Sequence, residues 1–253
     1  MHKTSMMMKR QIIRRKSKNL GKFMSVRKFG DAGLPVIAFP TQDGMSNQWE
    51  DFGMIETLAP FIESGRITVY CVDTVDVETW SARIADKNLR AERQEAYFRY
   101  ITEELAPNIG ENILLTGCSC GGMHSAVCLL RRPDLFSGMV ALSGAYDARH
   151  FVKGYLSKIW RWNSGVDILK VMPDDDPRLE MLRHRSIVCC VGQGLYEDIE
   201  VDATRKLEQD FKDKHIDAWV DYWGSDVSHD WMWWKAQLLY FLPYALDEIE
   251  SRI

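Results

Sequence analysis

The chain has 253 residues, 46% hydrophobic and 27% charged, which is enough apolar side chain for the large core of a globular protein. Its net charge of −4 excludes a chain built as a whole to grip nucleic acid. No apolar run approaches the roughly 18 residues of a membrane-spanning helix, and Met6-Met7-Met8 is too short for the apolar stretch of about 7–15 residues in a secretory signal, so the expected setting is the cytoplasm.

The first segment is basic. Lys3, Lys9, Arg10, Arg14, Arg15, Lys16, Lys18, Lys22, Arg27 and Lys28 all precede the first acidic residue, Asp31. Lysines guard exposed strand edges, so the stretch reads as a polar edge strand or solvated lead-in. The alternative is a basic arm for polyanions or a membrane surface. Residues 23–29 alternate apolar and polar side chains and are expected as an edge strand.

Six further runs are short, mostly β-branched or aromatic, and bounded by Gly, Pro, Asp or Ser: 36–39, 67–72, 113–116, 139–142, 187–191 and 218–223. Strands buried on both faces have this character. Helical spacing fills the gaps. Asn47 with Glu50 resembles a capping box ahead of Trp49, Phe52, Ile55 and Leu58. A long charged helix is expected over 81–105, stopped by Pro107 and Gly110, and a short one over 120–130. Helices over 203–211 and 231–253, the last kinked or broken at Pro243, complete the set. Strands alternating with helices imply an α/β fold: one domain with a mostly parallel central sheet and helices on both faces. Residues 145–177 break the rhythm with Tyr155, Trp160 and Trp162 and end in Asp174-Asp175-Asp176-Pro177, the profile of a cap-like insertion over a site or of an ordinary long connection.

The six cysteines (Cys71, Cys118, Cys120, Cys128, Cys189, Cys190) lie mostly in apolar runs, where a free thiol behaves as a small hydrophobe. Cys189 and Cys190 are neighbours pointing to opposite strand faces, and Cys118 with Cys120 lacks the spacing of a zinc site. The reading is reduced thiols and no metal.

Chemistry concentrates at Thr116-Gly117-Cys118-Ser119-Cys120-Gly121-Gly122. A strand, then Gly-x-Ser-x-Gly, then a helix places a serine hydroxyl on a tight turn at the top of a sheet. The glycines leave room where a side chain would block the backbone. The helix aims its N-terminus at developing negative charge, and the Cys120 N–H becomes an oxyanion donor. A serine needs a base. His2 lies at the terminus, His150, His184 and His215 in connections or near helix ends, and His124 in the helix after the turn, where packing is its expected role. His229 follows the last strand, where the order nucleophile, acid, histidine puts the base.

The acid belongs after 187–191, in Gly192-Gln193-Gly194-Leu195-Tyr196-Glu197-Asp198. Asp198 is the first choice, Glu197 the second and Asp147 a rival, while Asp226 and Asp230 suit turn capping. A second oxyanion N–H is expected from Pro40-Thr41-Gln42-Asp43-Gly44, with Gln42 as the donor. Trp223, Trp231, Trp233 and Trp234 flank His229. Together with Trp160 and Trp162 they suggest an aromatic wall for an apolar acyl chain or aryl ester, with Trp160, Trp162 and Trp231 as candidate substrate contacts; helix–sheet core packing is the plainer account of most of them.

These segments, with Phe39-Pro40-Thr41, Glu50-Asp51-Phe52-Gly53-Met54, Leu142-Ser143-Gly144-Ala145-Tyr146-Asp147 and His229-Asp230-Trp231, resemble the esterase D and mycolyltransferase-like branch of the α/β-hydrolases from about residue 20 to the C-terminus. The resemblance implies a Ser–acid–His triad, no metal or other cofactor, and hydrolysis of carboxylic esters or thioesters. On its pattern Ser119, His229 and Asp198 form the triad. The cysteines on both sides of Ser119 and the Glu197-Asp198 doublet depart from it. The expected partner is a small-molecule or lipid-like ester, with no nucleic acid. Acyl transfer by the same triad and a non-catalytic binding protein on the same fold are the alternative functions, and the oligomeric state, monomer or homo-oligomer, is left open.

Overall fold

The apolar runs become the strands of one sheet in a computed structural model that describes residues 8–84, 86–154 and 156–253. His2, Lys3, Met6, Met7 and Tyr155 lie outside the described residues. Eight strands pair among the described residues: β1 (Arg10–Lys16), β2 (Phe23–Phe29), β3 (Leu34–Phe39), β4 (Ile67–Val72), β5 (Ile113–Cys118), β6 (Phe136–Leu142), β7 (Ser186–Val191) and β8 (Trp219–Tyr222). Their spatial order is β1-β2-β4-β3-β5-β6-β7-β8. β1–β2 and β2–β4 are antiparallel, and the remaining neighbours are parallel. β5 is buried along its whole length because helices cover both faces.

Among the described residues, the basic stretch forms β1 and most of β2. β1 forms the edge, and β2 lies one place inside it, registered against β1 and β4, which corrects the placing of residues 23–29 at the edge. Several of the cations are paired: Arg10 and Arg27 both bind Glu50, and Lys9 and Lys28 bind Asp31. That use of Glu50 also removes the expected capping box. Asn47 makes no cap bond to its helix and donates instead to Asp51.

Three single turns, α1 (Gln48–Asp51), α2 (Met54–Thr57) and α3 (Ala59–Glu63), lead into β4. The helix expected from residue 81 begins later, as α4 (Lys87–Arg99), because Asp86 caps it by accepting from the Asn88 and Leu89 N–H groups. It continues through a π-helical turn (Tyr100–Leu105) into α5 (Ala106–Ile109), so Pro107 costs a hydrogen bond but not the helix, which ends at Gly110. α6 (Cys120–Arg131) follows β5. Residues 145–177 form α7 (Lys158–Trp162) and α8 (Gly165–Val171), leading to α9 (Pro177–Leu182). Tyr146, Val152, Trp160, Ile168 and Leu169 from this stretch join the core on the α6 side of the sheet.

α10 (Asp198–Asp213) packs between β7 and α8, and α11 (Trp231–Glu250) crosses the opposite face with Leu238, Phe241, Leu242, Ala245 and Leu246 against the sheet. α11 runs through Pro243, whose missing N–H would have served the carbonyl of Leu239. Leu239 is exposed, on the solvent side of the helix. No helix among the described residues is long and apolar enough to cross a membrane.

Candidate active site

The turn after β5 is built by close backbone approach. Ser119 has φ 57° and ψ −121°, a conformation a non-glycine residue holds only when its surroundings impose it. Here the Ser119 N–H is held by the Leu142 carbonyl at 2.9 Å, and its own carbonyl accepts from Gly122, Met123 and Ala145. The glycines have measurable reasons. A Cβ at Gly117 would stand 2.3 Å from the Gly121 carbonyl carbon, and one at Gly121 would stand 2.5 Å from the Phe39 and Pro40 oxygens. Gly-x-Ser-x-Gly lets α6 start directly against the ends of β3 and β5. The Ser119 side chain is left half-buried and Cys120 buried.

The loops after β7 and β8 are sewn to one another. Gln193 N–H donates to Gly224, Gly194 N–H to Val227 and His229 N–H to Leu195. A Cβ at Gly192 or Gly194 would meet the Val227 carbonyl oxygen at 2.2 or 2.7 Å, so Gly-Gln-Gly is what lets the acid loop lie on the histidine loop. At the end of this seam Glu197 Oε2 is 3.2 Å from His229 Nδ1. A carboxylate only accepts, so in the neutral imidazole the proton sits on Nδ1 and the lone pair on Nε2, the tautomer a general base needs. The other oxygen, Oε1, accepts from the Ser143 hydroxyl at 2.6 Å, and Ser143 in turn accepts from the Trp234 indole N–H at 3.0 Å. Ser143 directly follows Leu142, whose carbonyl holds Ser119. The elbow, the carboxylate and the histidine are thus tied to one end of the sheet through residues 142–143.

The carboxylate on His229 is Glu197, not Asp198. Glu197 is 0% exposed, whereas Asp198 is exposed in the first turn of α10. The helical repeat explains the difference. Glu197 shares a face with buried Val201 and Thr204, and Asp198 shares one with exposed Asp202 and Arg205. Asp147 is taken up by Arg149 at 2.9 Å and Lys206 at 3.2 Å. Asp230 caps α11 by accepting the Met232 N–H.

Glu200 was not foreseen. One turn along α10, it brings a carboxylate oxygen within 4.8 Å of ligand-capable atoms of Glu197 and His229. Burial pushes its carboxyl above the ordinary value, with the His229 charge opposing and the Glu197 and Asp198 charges adding. These three have the donor types of a cation site, but His229 Nδ1 is already engaged by Glu197. Burial likewise pushes the Cys118 and Cys120 thiols well above the ordinary thiol range, so neither is a thiolate nucleophile.

On the other side of the elbow, the loop after β3 presents Gln42. Thr41 N–H donates to Gln48 Oε1, Asp43 N–H to Asp76 and Gly44 N–H to Thr41, whereas Gln42 N–H has no acceptor among the described residues. The Cys120 N–H likewise meets no acceptor among them.

The tryptophans divide. Trp231 lies flat on Phe52 with ring centroids 4.8 Å apart and meets Trp234 edge-on, and Trp234 meets the His229 ring edge-on at 4.8 Å. This aromatic ledge beside the histidine is partly open, since Phe52 is 49% exposed. Trp160 corrects the expectation for the insertion. It is buried against Trp80, and its indole N–H donates to the Lys87 carbonyl, which makes it core. Trp162 packs beneath the Arg178 guanidinium.

A family model described as "Putative esterase" matches residues 24–245. No curated protein matches the sequence. Among solved structures the fold superposes on a ferulic acid esterase with TM-score 0.72 at 16% identity, covering 96% of this chain and 98% of that one. An S-formylglutathione hydrolase from Agrobacterium tumefaciens gives TM-score 0.72 at 13% identity, covering 96% of each chain. Mycobacterium tuberculosis MPT51 gives TM-score 0.73 at 12% identity, covering 95% of this chain and 99% of that one. At these identities the likeness to solved structures is one of fold.

Proposed function

The chain is a member of this esterase family of α/β-hydrolases, a carboxylic ester hydrolase by class, and on that premise we propose that it works through a Ser119–His229–Glu197 triad and an acyl-enzyme. Ser119 Oγ attacks the ester carbonyl while His229 Nε2 takes its proton, and Glu197 steadies the imidazolium that forms. The tetrahedral oxyanion is held by the N–H groups of Cys120 and Gln42, aided by the N-terminus of α6. Collapse breaks the bond to the alcohol, which leaves with the proton from His229. Water then attacks the acyl-Ser119 ester by the same route and releases the acid.

The observation that carries the reading is the Glu197–His229 contact, with both oxygens of a fully buried carboxylate committed to orienting it. A carboxylate that served only packing would be a costly choice at that depth. The aromatic ledge of Trp231 and Phe52 supports a small-molecule or lipid-like ester with an apolar acyl or aryl group as substrate.

The test is a nitrophenyl ester series from acetate to octanoate with the native chain and Ser119→Ala. Ser119→Ala is expected to abolish hydrolysis across the series, and wild-type turnover in that variant defeats the reading. Activity falling monotonically with acyl length removes the apolar-pocket part alone. Product analysis with an added alcohol separates hydrolysis from acyl transfer: free acid is the expected product.

A further inference from the structure

The loop that offers Gln42 is suspended from side chains. Asp73 Oδ1 accepts the Ser46 N–H at 3.0 Å, and Thr74 Oγ1 donates to the Gly44 carbonyl at 2.9 Å. Asp76 Oδ2 accepts the Asp43 N–H at 3.2 Å, one residue from the Gln42 donor. Asp76 differs from the other supports in what its second oxygen does. Oδ1 lies 2.9 Å from Nε2 of His124, which sits on α6 five residues beyond Ser119. One carboxylate therefore joins the loop carrying one oxyanion donor to the helix that begins with the other.

Both side chains are sealed, Asp76 at 0% and His124 at 2% exposure, with the rings of Phe39 and Tyr97 packed on the histidine at 5.6 and 5.1 Å. A polar pair this deep pays a desolvation cost that an apolar pair of similar volume avoids. Stability alone is a poor reason for it, and fixed geometry is a good one. An oxyanion hole needs such geometry, because its donors must stand about 2.7–3.1 Å from where the oxyanion will form, not from where the ground-state oxygen rests.

We propose that the Asp76–His124 pair is a positioning strut that sets the spacing between the Gln42 and Cys120 N–H donors. The proposal rests on the esterase reading above and on these two donors. Neither side chain touches substrate; each acts through the backbone it holds. Loosening the strut weakens contacts that matter most in the transition state, so turnover falls while ground-state binding stays. Losing one oxyanion donor outright costs about 10²–10³ in kcat, so a displaced donor is expected to cost roughly 10- to 100-fold.

The experiment compares Asp76→Ala and His124→Leu with the conservative Asp76→Asn and His124→Gln. Asparagine keeps an oxygen for the Asp43 N–H and offers an N–H₂ to His124; glutamine places an amide nitrogen near the position of Nε2. Each variant is measured for kcat and KM on nitrophenyl acetate, for inhibition by a trifluoromethyl ketone that forms a tetrahedral adduct, and for thermal unfolding. In Asp76→Ala and His124→Leu, kcat is expected to fall roughly 10- to 100-fold, KM to stay within about twofold, and inhibitor affinity to weaken in step with kcat. The conservative variants should recover most of both losses. Should Asp76→Ala fail to fold, His124→Leu carries the test alone, because the Asp43 bond to Asp76 survives in it. Wild-type kcat in a folded strut variant overturns the proposal, as does a fall in kcat without weaker inhibition by the ketone. If Ser119→Ala keeps full activity, it is the esterase reading that fails.

Discussion

Glu197→Gln isolates the electrostatic share of the proposed triad. Glutamine keeps the shape of the buried side chain. Its amide oxygen can still accept from His229 Nδ1, and its N–H₂ can donate to Ser143, whose hydroxyl already accepts from Trp234. What disappears is the negative charge 3.2 Å from the imidazole. At an effective dielectric of about 20, a charge pair at that distance is worth about 5 kcal/mol. The His229 side chain is 18% exposed, and water at that surface screens part of the attraction, leaving roughly 3–4 kcal/mol. At about 1.4 kcal/mol per decade, kcat/KM should fall roughly 10²- to 10³-fold. The assay is steady-state hydrolysis of nitrophenyl acetate alongside Asp198→Asn, whose exposed carboxylate lies off the histidine and should change the rate less than about twofold. Glu197→Gln within tenfold of wild type, or Asp198→Asn falling as far as Glu197→Gln, refutes the assignment of the acid.

Gly121→Ala should destabilise the fold by about 1–3 kcal/mol, since its Cβ would press to 2.5 Å of two backbone oxygens that cannot swing aside; a urea midpoint equal to wild type contradicts the packing described for the elbow. The Glu95–Arg131 pair gives a pH signature. Burial alone would raise the Glu95 carboxyl, but its two bonds to Arg131 and a third from Asn163 hold it below the ordinary 4.5. A depressed carboxyl stabilises fully above its unfolded value, and the stabilisation is lost as pH falls through the folded one. Glu95→Gln should therefore cost about 1–3 kcal/mol at pH 7 and progressively less below the ordinary value, read by urea unfolding at both pH values. A gap that does not shrink in acid argues against the pair.

The strands and the elbow were legible because their signals are local. Apolar runs such as 67–72 and 113–116 match β4 and β5, and Gly-x-Ser-x-Gly demands a close approach that only its own neighbours supply. The errors arose where another part of the chain intervenes. Asn47 and Glu50 have capping spacing, yet Glu50 is claimed by Arg10 and Arg27, from strands distant in sequence. Residues 23–29 look like an edge strand until the basic lead-in pairs outside them.

Within the site, Asp198 and Glu197 are adjacent, and residue type does not separate them. The periodicity of α10 does, because Val201, Thr204 and Leu207 mark the buried face on which residue 197 falls. Ser143, Trp234, Asp76 and the His124 contact carried no such mark. Each acts through a partner on a different loop or helix, and a single sequence does not register those distances.

Active-site labelling decides whether Ser119 is the nucleophile. The folded chain is treated with a fluorophosphonate and the adduct is located by peptide mass mapping. If Ser119 is the nucleophile, one phosphonyl group is expected on it, lost in Ser119→Ala and formed much more slowly in Glu197→Gln. An adduct on another residue, or none on Ser119 in folded protein that hydrolyses esters, contradicts it.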